Sequence, residues 1–298
     1  ERPTSLQDYV YLSSLVYNDP AFYSEYLDKW FGEGFARNDR KAVNGYQTTF
    51  WKNSPMRYML TTFPSLPGLG VVTIRGTVNV LDMFVDMQLW FGASLAQILR
   101  EVFPFNSIWT PALKDLVTVL SVAETSSLEK HAFYKETGGF VQSLLQDGEI
   151  NNVIVTGHSL GGGLAMITGA QNGVRSVGIS GPNSVLSRGS FDPPVTKEQL
   201  DSLTFNVIPD RDLIPMIDDR ARLFQEVECR AEKNNLFGCH DVLRTLCAIQ
   251  FHCGSGNRPA MCACALKFNY PEPLPDLLTQ RSFRDACIEE YPPYADDF

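Results

Sequence analysis

Runs of apolar residues along this chain alternate between strand-like and helix-like spacing. Short runs bounded by turn-forming residues predict β-strands at residues 46–50, 57–63, 71–74, 153–156, 176–180 and 203–208. Longer stretches with apolar residues three and four positions apart predict helices at residues 6–17, 81–100, 128–146 and 164–171, the first of them amphipathic. Because strands and helices alternate through the central half, we expect a single α/β domain over residues 1–298, with a mostly parallel sheet flanked by helices.

Composition and charge narrow the classes of protein that fit this pattern. The chain has 298 residues, of which 44% are hydrophobic and 20% are charged, as in ordinary globular proteins. Its formal net charge is −9 and it has no basic run, so we expect no nucleic-acid partner. Acidic and amide side chains interrupt the most apolar stretch, residues 78–99, so we expect no stable membrane insertion. The first residue is Glu1 rather than Met, which leads us to expect that an N-terminal segment was removed.

Residues 157–162 carry the clearest chemical signal. They read Gly-His-Ser-Leu-Gly-Gly and lie between a predicted strand and a predicted helix, which is the order of a nucleophile elbow. Glycines on both sides of the serine let the strand and the helix approach closely in such a turn. Ser159 is therefore our candidate nucleophile, and the alternative is a glycine-rich turn without chemistry.

A serine nucleophile needs a base, and the base needs an acid that orients it. α/β-Hydrolases carry these residues in the chain order Ser, Asp, His. Among the acids that follow the strand at 203–208, we prefer Asp212, because Leu213 and Ile214 can bury beside it and Pro215 directs the chain. The alternatives are Asp210, which we interpret as a residue of a surface turn, and the more distant Asp218 and Asp219.

Two histidines follow the serine in the chain. His240 precedes a predicted helix start and is our candidate base, whereas His252 lies beside Cys253 and fits a structural or surface role better. His158 lies inside the elbow, where we expect its side chain to point away from the nucleophile and to pack. His131 precedes the serine and is out of order for a base.

An oxyanion hole needs two donors aimed at the developing charge. The backbone N–H of Leu160, the residue after the nucleophile, is the first candidate. Thr77, at the end of the Arg75-Gly76-Thr77 motif after a predicted strand, is the second, through its N–H and its hydroxyl. The alternative for this motif is a plain turn around Gly76. This chemistry needs no cofactor and no metal ion.

The cysteines are confined to a C-terminal extension of about residues 229–298. The extension contains Cys229, Cys239, Cys247, Cys253, Cys262, Cys264 and Cys287. We expect disulfide bonds and therefore a secreted protein, with at least one thiol outside these bonds because the number is odd. The alternative is a zinc site built from His240, His252 and the cysteines at 239, 247, 253, 262 and 264, although the chain has no Cys-x-x-Cys pair.

The motifs together resemble the class 3 lipase family in its filamentous-fungal triacylglycerol lipase type. They are residues 71–77 (Val-Val-Thr-Ile-Arg-Gly-Thr), 157–162 and 211–215 (Arg-Asp-Leu-Ile-Pro), and the resemblance extends over about residues 5–250. It implies an α/β-hydrolase fold with Ser159 as nucleophile and Asp212 as orienting acid. It also implies that Thr77 and Leu160 form the oxyanion hole and that a helical lid lies at about residues 78–95. The cysteine-rich extension departs from the fungal pattern.

The proposed lid segment also has a physical interpretation of its own. Residues 78–95 are apolar almost all round, and Asp82 and Asp86 form a narrow polar stripe. Such a helix fits a lid that covers an apolar cleft and binds lipid when it opens, and the alternative is a buried core helix.

We therefore predict a secreted serine lipase that hydrolyses carboxylic esters of acylglycerols through an acyl-enzyme, with lipid at an oil–water or membrane interface as its partner. The alternatives are a phospholipase A1, a soluble-ester esterase of the feruloyl type, and a non-catalytic binding protein on a lipase fold. The pattern leaves the oligomeric state open.

Overall fold

A computed structural model describes residues 4–32, 37–38, 58–76, 133–232, 235, 237–273 and 281–290, and the fold below is that of these residues. Their helices are α1 (Leu6–Leu15), α2 (Tyr23–Phe31), α3 (Phe133–Asp147), α4 (Leu160–Asn172), α5 (Lys197–Leu203), α6 (Val242–Cys253), α7 (Cys262–Leu266) and α8 (Phe283–Glu290). Their strands are β1 (Arg37–Asn38), β2 (Tyr58–Thr62), β3 (Leu69–Ile74), β4 (Asn152–His158), β5 (Arg175–Ile179), β6 (Thr204–Pro209) and β7 (Phe224–Val227).

The strands of the described residues form one seven-stranded sheet in the order β1 to β7. The β1–β2 and β2–β3 pairs are antiparallel, and every pair from β3 to β7 is parallel. The register places Ile74 of β3 beside Gly157 of β4, and Gly157 beside Gly178 of β5. The carboxyl ends of these strands therefore lie at one edge of the sheet, where active sites of such folds are built. The predicted mostly parallel α/β sheet is confirmed.

Helices cover both faces of the sheet. On one face, α3, α4 and α5 pack in an apolar cluster with strand side chains such as Leu60, Val72 and Val155. On the other face, α1, α2 and α6 pack with strand side chains such as Met59 and Val71. Neighbouring strand residues such as 71 and 72 serve opposite clusters because side chains alternate across a strand. Each fully buried side chain of this size contributes about 1.5–3 kcal/mol, so the two clusters hold the helices to the sheet.

The strands predicted at 57–63, 71–74, 153–156, 176–180 and 203–208 are confirmed as β2 to β6, with small shifts at their ends. The helices predicted at 6–17 and 164–171 are confirmed as α1 and α4, and the one predicted at 128–146 is described from Phe133 and ends at Asp147. The predictions at 46–50 and 81–100, His131, and the lid at 78–95 lie outside the described residues. Within the described ranges, every helix is too short or too polar to cross a bilayer.

Helix α1 is buried on nearly all sides rather than amphipathic, because it lies between the sheet and α6. Even its carboxylate, Asp8, is fully buried. Asp8 Oδ1 accepts hydrogen bonds from Trp30 Nε1 at 2.8 Å and from Arg258 Nε at 2.7 Å. Gln7 on the same helix donates to the carbonyl of Ser255 at 2.6 Å. The bonds with Arg258 and Ser255 attach the C-terminal extension to the first helix, and the bond with Trp30 attaches α2 to it.

Three disulfide bonds join cysteines within the cysteine-rich extension. The prediction of disulfide bonds is therefore confirmed, although the sequence did not predict which cysteines pair. The bonds are Cys229–Cys239, Cys247–Cys264 and Cys262–Cys287, and Cys253 is exposed and outside them. Four of the five cysteines of the alternative zinc site are therefore in disulfide bonds and cannot supply thiolate ligands. In the part of the chain that the structure describes, no group of three His, Cys, Asp or Glu side chains is placed to hold a metal ion.

Candidate active site

The predicted elbow is present between β4 and α4. Ser159 stands at the N-cap of α4 with a φ of 60° and a ψ of −132°, a backbone conformation that only glycine adopts without strain. A Cβ on Gly157 would lie 2.4 Å from the carbonyl oxygen of Gly161, and a Cβ on Gly161 would lie 2.3 Å from that of Ile74. Both glycines are therefore required by the close approach of strand and helix. The strained turn holds Ser159 at the edge of the sheet.

The three residues proposed for the reaction lie in one hydrogen-bonded line. His240 Nε2 is 2.7 Å from Ser159 Oγ, and His240 Nδ1 is 2.9 Å from Asp212 Oδ2 and 3.1 Å from Oδ1. An ionised carboxylate only accepts hydrogen bonds, so Nδ1 carries the proton that faces Asp212. Nε2 is then the acceptor for the serine hydroxyl. Ser159 and Asp212 are buried, and the His240 side chain keeps 11% of its surface exposed.

Asp212 is held by the loop that follows β6. Its backbone N–H donates to the carbonyl of Pro209 at 3.2 Å, and its Oδ1 accepts from the N–H of Ile214 at 3.1 Å. Ile214 is buried as predicted, but Leu213 is 44% exposed, so the expectation that both apolar residues bury is wrong for Leu213. Leu213 stands at the N-cap, before the 3₁₀ turn Ile214–Met216, and the buried side chains of this turn are those of Ile214 and Pro215.

His240 ends the 3₁₀ turn Gly238–His240, and α6 begins two residues later. Asp241 between them caps α6, since its Oδ1 accepts from the N–H groups of Leu243 at 2.9 Å and Arg244 at 3.3 Å. The predicted position at a helix start is confirmed. The backbone N–H of His240 donates to the carbonyl of Phe237 at 3.0 Å.

His158 is buried, and its side chain contributes hydrogen bonds as well as packing. Its Nε2 lies 2.8 Å from the backbone oxygen of His240, and its Nδ1 lies 3.0 Å from the hydroxyl of Tyr17. Burial lowers the pKa of His158 well below its usual range, and the nearby His240 lowers it further. The ring is therefore neutral near pH 7. Because a carbonyl only accepts, Nε2–H donates to His240 and Nδ1 accepts the proton of Tyr17.

Tyr17 extends this chain of hydrogen bonds to the end of β3. Its oxygen accepts from the backbone N–H of Gly76 at 3.1 Å, and burial raises its pKa above the usual range, so it stays protonated. The contact fixes the segment before the predicted oxyanion residue Thr77. Sequence reasoning missed Tyr17, because no local motif indicates that α1 ends beside the elbow.

Of the two residues predicted to form the oxyanion hole, Leu160 is among the described residues. Leu160 is buried and opens α4 directly beside Ser159, so the first turn of a helix N-terminus faces the nucleophile. Thr77 lies outside the described residues. A Cβ on its neighbour Gly76 would lie 3.1 Å from the Ser159 Cβ, which places Gly76 against the nucleophile.

The remaining candidates lie elsewhere. His252 is 42% exposed and pairs with Glu228 at 3.0 Å, outside the line of hydrogen bonds at Ser159. Asp210 is exposed in a turn, as interpreted from the sequence, and accepts a hydrogen bond from the backbone N–H of Cys229. Asp218 is buried and accepts from the N–H groups of Leu186 at 2.7 Å and Ser187 at 2.8 Å. Burial raises the pKa of Asp218 to about 6, against these hydrogen bonds, which lower it.

The sequence profile described as "Lipase (class 3)" matches residues 71–219, half of the chain. The chain belongs to the class 3 lipase family. The part shared with other class 3 lipases contains Ser159 and Asp212, and it ends before His240 and the cysteine-rich extension. No sequence among curated proteins matches this lipase-family chain.

Solved structures similar to the chain include two lipases and one further protein. A mutant form of MDLA from Penicillium cyclopium is 12% identical with a TM-score of 0.30, and the match covers 60% of each chain. The lipase of Rhizopus microsporus var. chinensis is 19% identical with a TM-score of 0.31, over 59% of this chain and 58% of that one. M37 lipase is 12% identical with a TM-score of 0.35, over 99% of this chain and 93% of that one. The chain thus spans about 60% of the length of the first two proteins.

Proposed function

We propose that this class 3 lipase family member is a secreted serine lipase that hydrolyses carboxylic esters of acylglycerols through an acyl-enzyme. The observation that carries the proposal is the hydrogen-bonded line from Ser159 through His240 to Asp212 at the tip of a strained elbow. A merely structural serine has no need of an imidazole acceptor at 2.7 Å that is itself oriented by a buried carboxylate.

In the first half of the reaction, Ser159 Oγ attacks the carbonyl carbon of the ester. His240 Nε2 takes the hydroxyl proton, and Asp212 holds the Nδ1–H tautomer and stabilises the imidazolium that forms. When the tetrahedral intermediate collapses, the bond to the alcohol oxygen breaks and His240 gives its proton to that oxygen. The diacylglycerol leaves, and the acyl group remains on Ser159.

In the second half, a water molecule takes the place of the alcohol. His240 accepts a proton from the water as its oxygen attacks the acyl carbon, and the same proton returns to Ser159 Oγ as the fatty acid leaves. The enzyme is then restored. The negative oxygen formed in each half lies toward the N–H of Leu160 at the start of α4, with Thr77 as the second donor.

The surroundings of the site support an apolar substrate. Leu213 and Met216 follow Asp212 in the chain and are 44% and 48% exposed, and Phe237 lies three residues before His240 with 36% of its surface exposed. Large apolar side chains near a catalytic line favour lipid esters over sugar esters. Three disulfide bonds favour an extracellular location, because such bonds persist in oxidising compartments.

The test is the initial rate of fatty-acid release from tributyrin, measured through its solubility limit, with Ser159→Ala as the control. A rise in rate when droplets form supports a lipase with a lid over residues 78–95. Smooth saturation below the limit instead indicates an esterase of soluble esters. Faster release from phosphatidylcholine vesicles than from droplets indicates a phospholipase. Activity that survives in Ser159→Ala contradicts the proposed nucleophile.

A serine-reactive phosphonate separates catalysis from simple binding. We expect it to label Ser159 in the wild-type chain and to leave Ser159→Ala unlabelled, because only an activated hydroxyl attacks phosphorus at a useful rate. If the wild-type chain binds lipid vesicles but is never labelled, it is a non-catalytic lipid-binding protein on a lipase fold.

A further inference from the structure

The loops that carry Asp212 and His240 are both attached to one short segment, residues 229–231. On the acid side, Asp210 accepts a hydrogen bond from the backbone N–H of Cys229. The guanidinium of Arg211, the residue before the acid, donates from Nη2 to the carbonyl of Cys229 and to that of Ala231 at 3.1 Å. The acid loop therefore cannot move without moving this segment.

On the base side, the attachment is covalent. Cys229 forms a disulfide bond with Cys239, the residue directly before His240, and both cysteines are buried. A Cβ on Gly238 would lie 2.8 Å from the Cβ of Ala231, so the base loop also packs closely against the segment. The path from Arg211 to Cys229, Cys239, His240 and back to Asp212 is thus a closed ring.

The backbone of Arg211 has a conformation that is energetically unfavourable for a residue with a side chain. Its φ is 64°, in the left-handed region that favours glycine or asparagine over a long side chain. Strained residues of this kind persist where the surrounding structure requires them, and they cluster at functional sites. At this backbone conformation the guanidinium donates to two carbonyl groups, and the next residue, Asp212, is within hydrogen-bonding distance of His240.

We propose that Arg211 and the Cys229–Cys239 disulfide are positioning residues that set the contact between Asp212 and His240. The inference rests on the proposed function, since it assigns a role in that same reaction. On the elbow side, His158 donates a hydrogen bond to the carbonyl of His240. On the acid side, the closed ring of contacts through Arg211, Cys229 and Cys239 holds the loop that carries His240. The Cys247–Cys264 disulfide connects α6 to α7 and holds neither loop.

The matched test compares two double variants, Cys229→Ala/Cys239→Ala and Cys247→Ala/Cys264→Ala. The two disulfides close loops with similar sequence separations, 10 and 17 residues, so we expect their removal to lower the urea midpoint by similar amounts. We expect kcat on a soluble short-chain ester to fall about 10- to 100-fold in the first variant with little change in KM, since small misplacements of reacting groups have effects of this size. The second variant keeps its kcat although its urea midpoint falls.

Arg211→Asn tests the same ring with all three disulfide bonds intact, and therefore stays informative if the first double variant does not fold. Asparagine suits the left-handed backbone but cannot reach both carbonyl groups. We expect kcat to fall about tenfold with KM retained, and Arg211→Lys to restore part of the rate, because it returns one of the donors. A wild-type kcat in Arg211→Asn overturns the proposed role of the guanidinium.

The downfield proton resonance of the His240 imidazole N–H gives a readout that needs no turnover. We expect this resonance in the wild-type chain and in Cys247→Ala/Cys264→Ala, and its loss or broadening in Cys229→Ala/Cys239→Ala. If Cys229→Ala/Cys239→Ala keeps both the resonance and the kcat, the ring has no positioning role although the proposed function stands. If the wild-type chain shows the resonance but no hydrolysis and no phosphonate labelling, the proposed function fails while the ring still sets the contact.

Discussion

Asp218 provides a prediction about the pH dependence of stability. Its carboxylate is buried, and it accepts hydrogen bonds from three backbone N–H groups and from the hydroxyl of Ser187 at 2.6 Å. Burial outweighs these bonds and raises the pKa from 3.8 to about 6 in the folded chain. The folded chain therefore holds this proton more tightly than the unfolded chain does.

The sign and the size follow from proton linkage. Between pH 3.8 and about 6, Asp218 is protonated in the folded chain and ionised in the unfolded chain. The free energy of unfolding then falls as the pH rises, by about 1.4 kcal/mol per pH unit or about 3 kcal/mol over the window. Below this window both states are protonated, above it both are ionised, and the slope from Asp218 vanishes.

Asp218→Asn removes this titration and retains an oxygen acceptor at the same place. We expect the difference in unfolding free energy, wild type minus variant, to decrease by about 3 kcal/mol between about pH 4 and pH 7 in urea titrations. Asp201→Asn is a control of opposite sign, because the hydrogen bond from Lys197 lowers the pKa of Asp201. If the difference between the wild type and Asp218→Asn stays constant across the window, the reasoning about the buried carboxylate is refuted.

Three further predictions concern the site and the core. Tyr17→Phe removes the oxygen that accepts a hydrogen bond from the N–H of Gly76. Because one hydrogen bond is worth about 1 kcal/mol or somewhat more, we expect kcat on a soluble ester to fall about tenfold at constant KM. A wild-type kcat in this variant contradicts a positioning role for Tyr17. Arg258→Met leaves the buried Asp8 carboxylate without its ion pair, so we expect the free energy of unfolding in urea to fall by about 3–5 kcal/mol. Little change in this free energy would show that the pair behaves as a surface ion pair. Gly161→Ala places a methyl group 2.3 Å from the carbonyl oxygen of Ile74 at the end of β3. We therefore expect the variant to lose soluble expression or phosphonate labelling. A fully active variant would show that the strand and the helix of the elbow approach less closely than described.

Much of the site could be predicted because its signals are local. A tight strand–helix turn requires glycines next to its serine, so Ser159 is visible in six consecutive residues. Asp212 and His240 follow from chain order and from their neighbours, and the structure brings both within hydrogen-bonding distance of each other. Strands β2 to β6 are visible because each is a short apolar run buried by helices.

Other elements escaped prediction because their patterns are weak. Strand β7 reads Phe-Gln-Glu-Val and is largely exposed at the end of the described sheet, so it lacks the apolar run that indicates a buried strand. Helix α5 is short and polar, and its clearest signal is the capping box of Thr196 and Gln199. The exposure of Leu213 was mispredicted, because Leu213 stands before the 3₁₀ turn Ile214–Met216 and does not share the burial of Ile214.

The sequence by itself determined the fold class, the family resemblance and the identity of the elbow, since these depend on residues adjacent in the chain. Only the tertiary structure decided which cysteines pair, because six paired cysteines allow about 15 connectivities with the same spacing. It also decided the contact of Tyr17 with His158, across 141 residues, and the attachment of Asp210 and Arg211 to the segment that holds the base. Such contacts depend on how helices and loops pack at the edge of the sheet, and the local pattern of apolar and polar residues does not predict this packing.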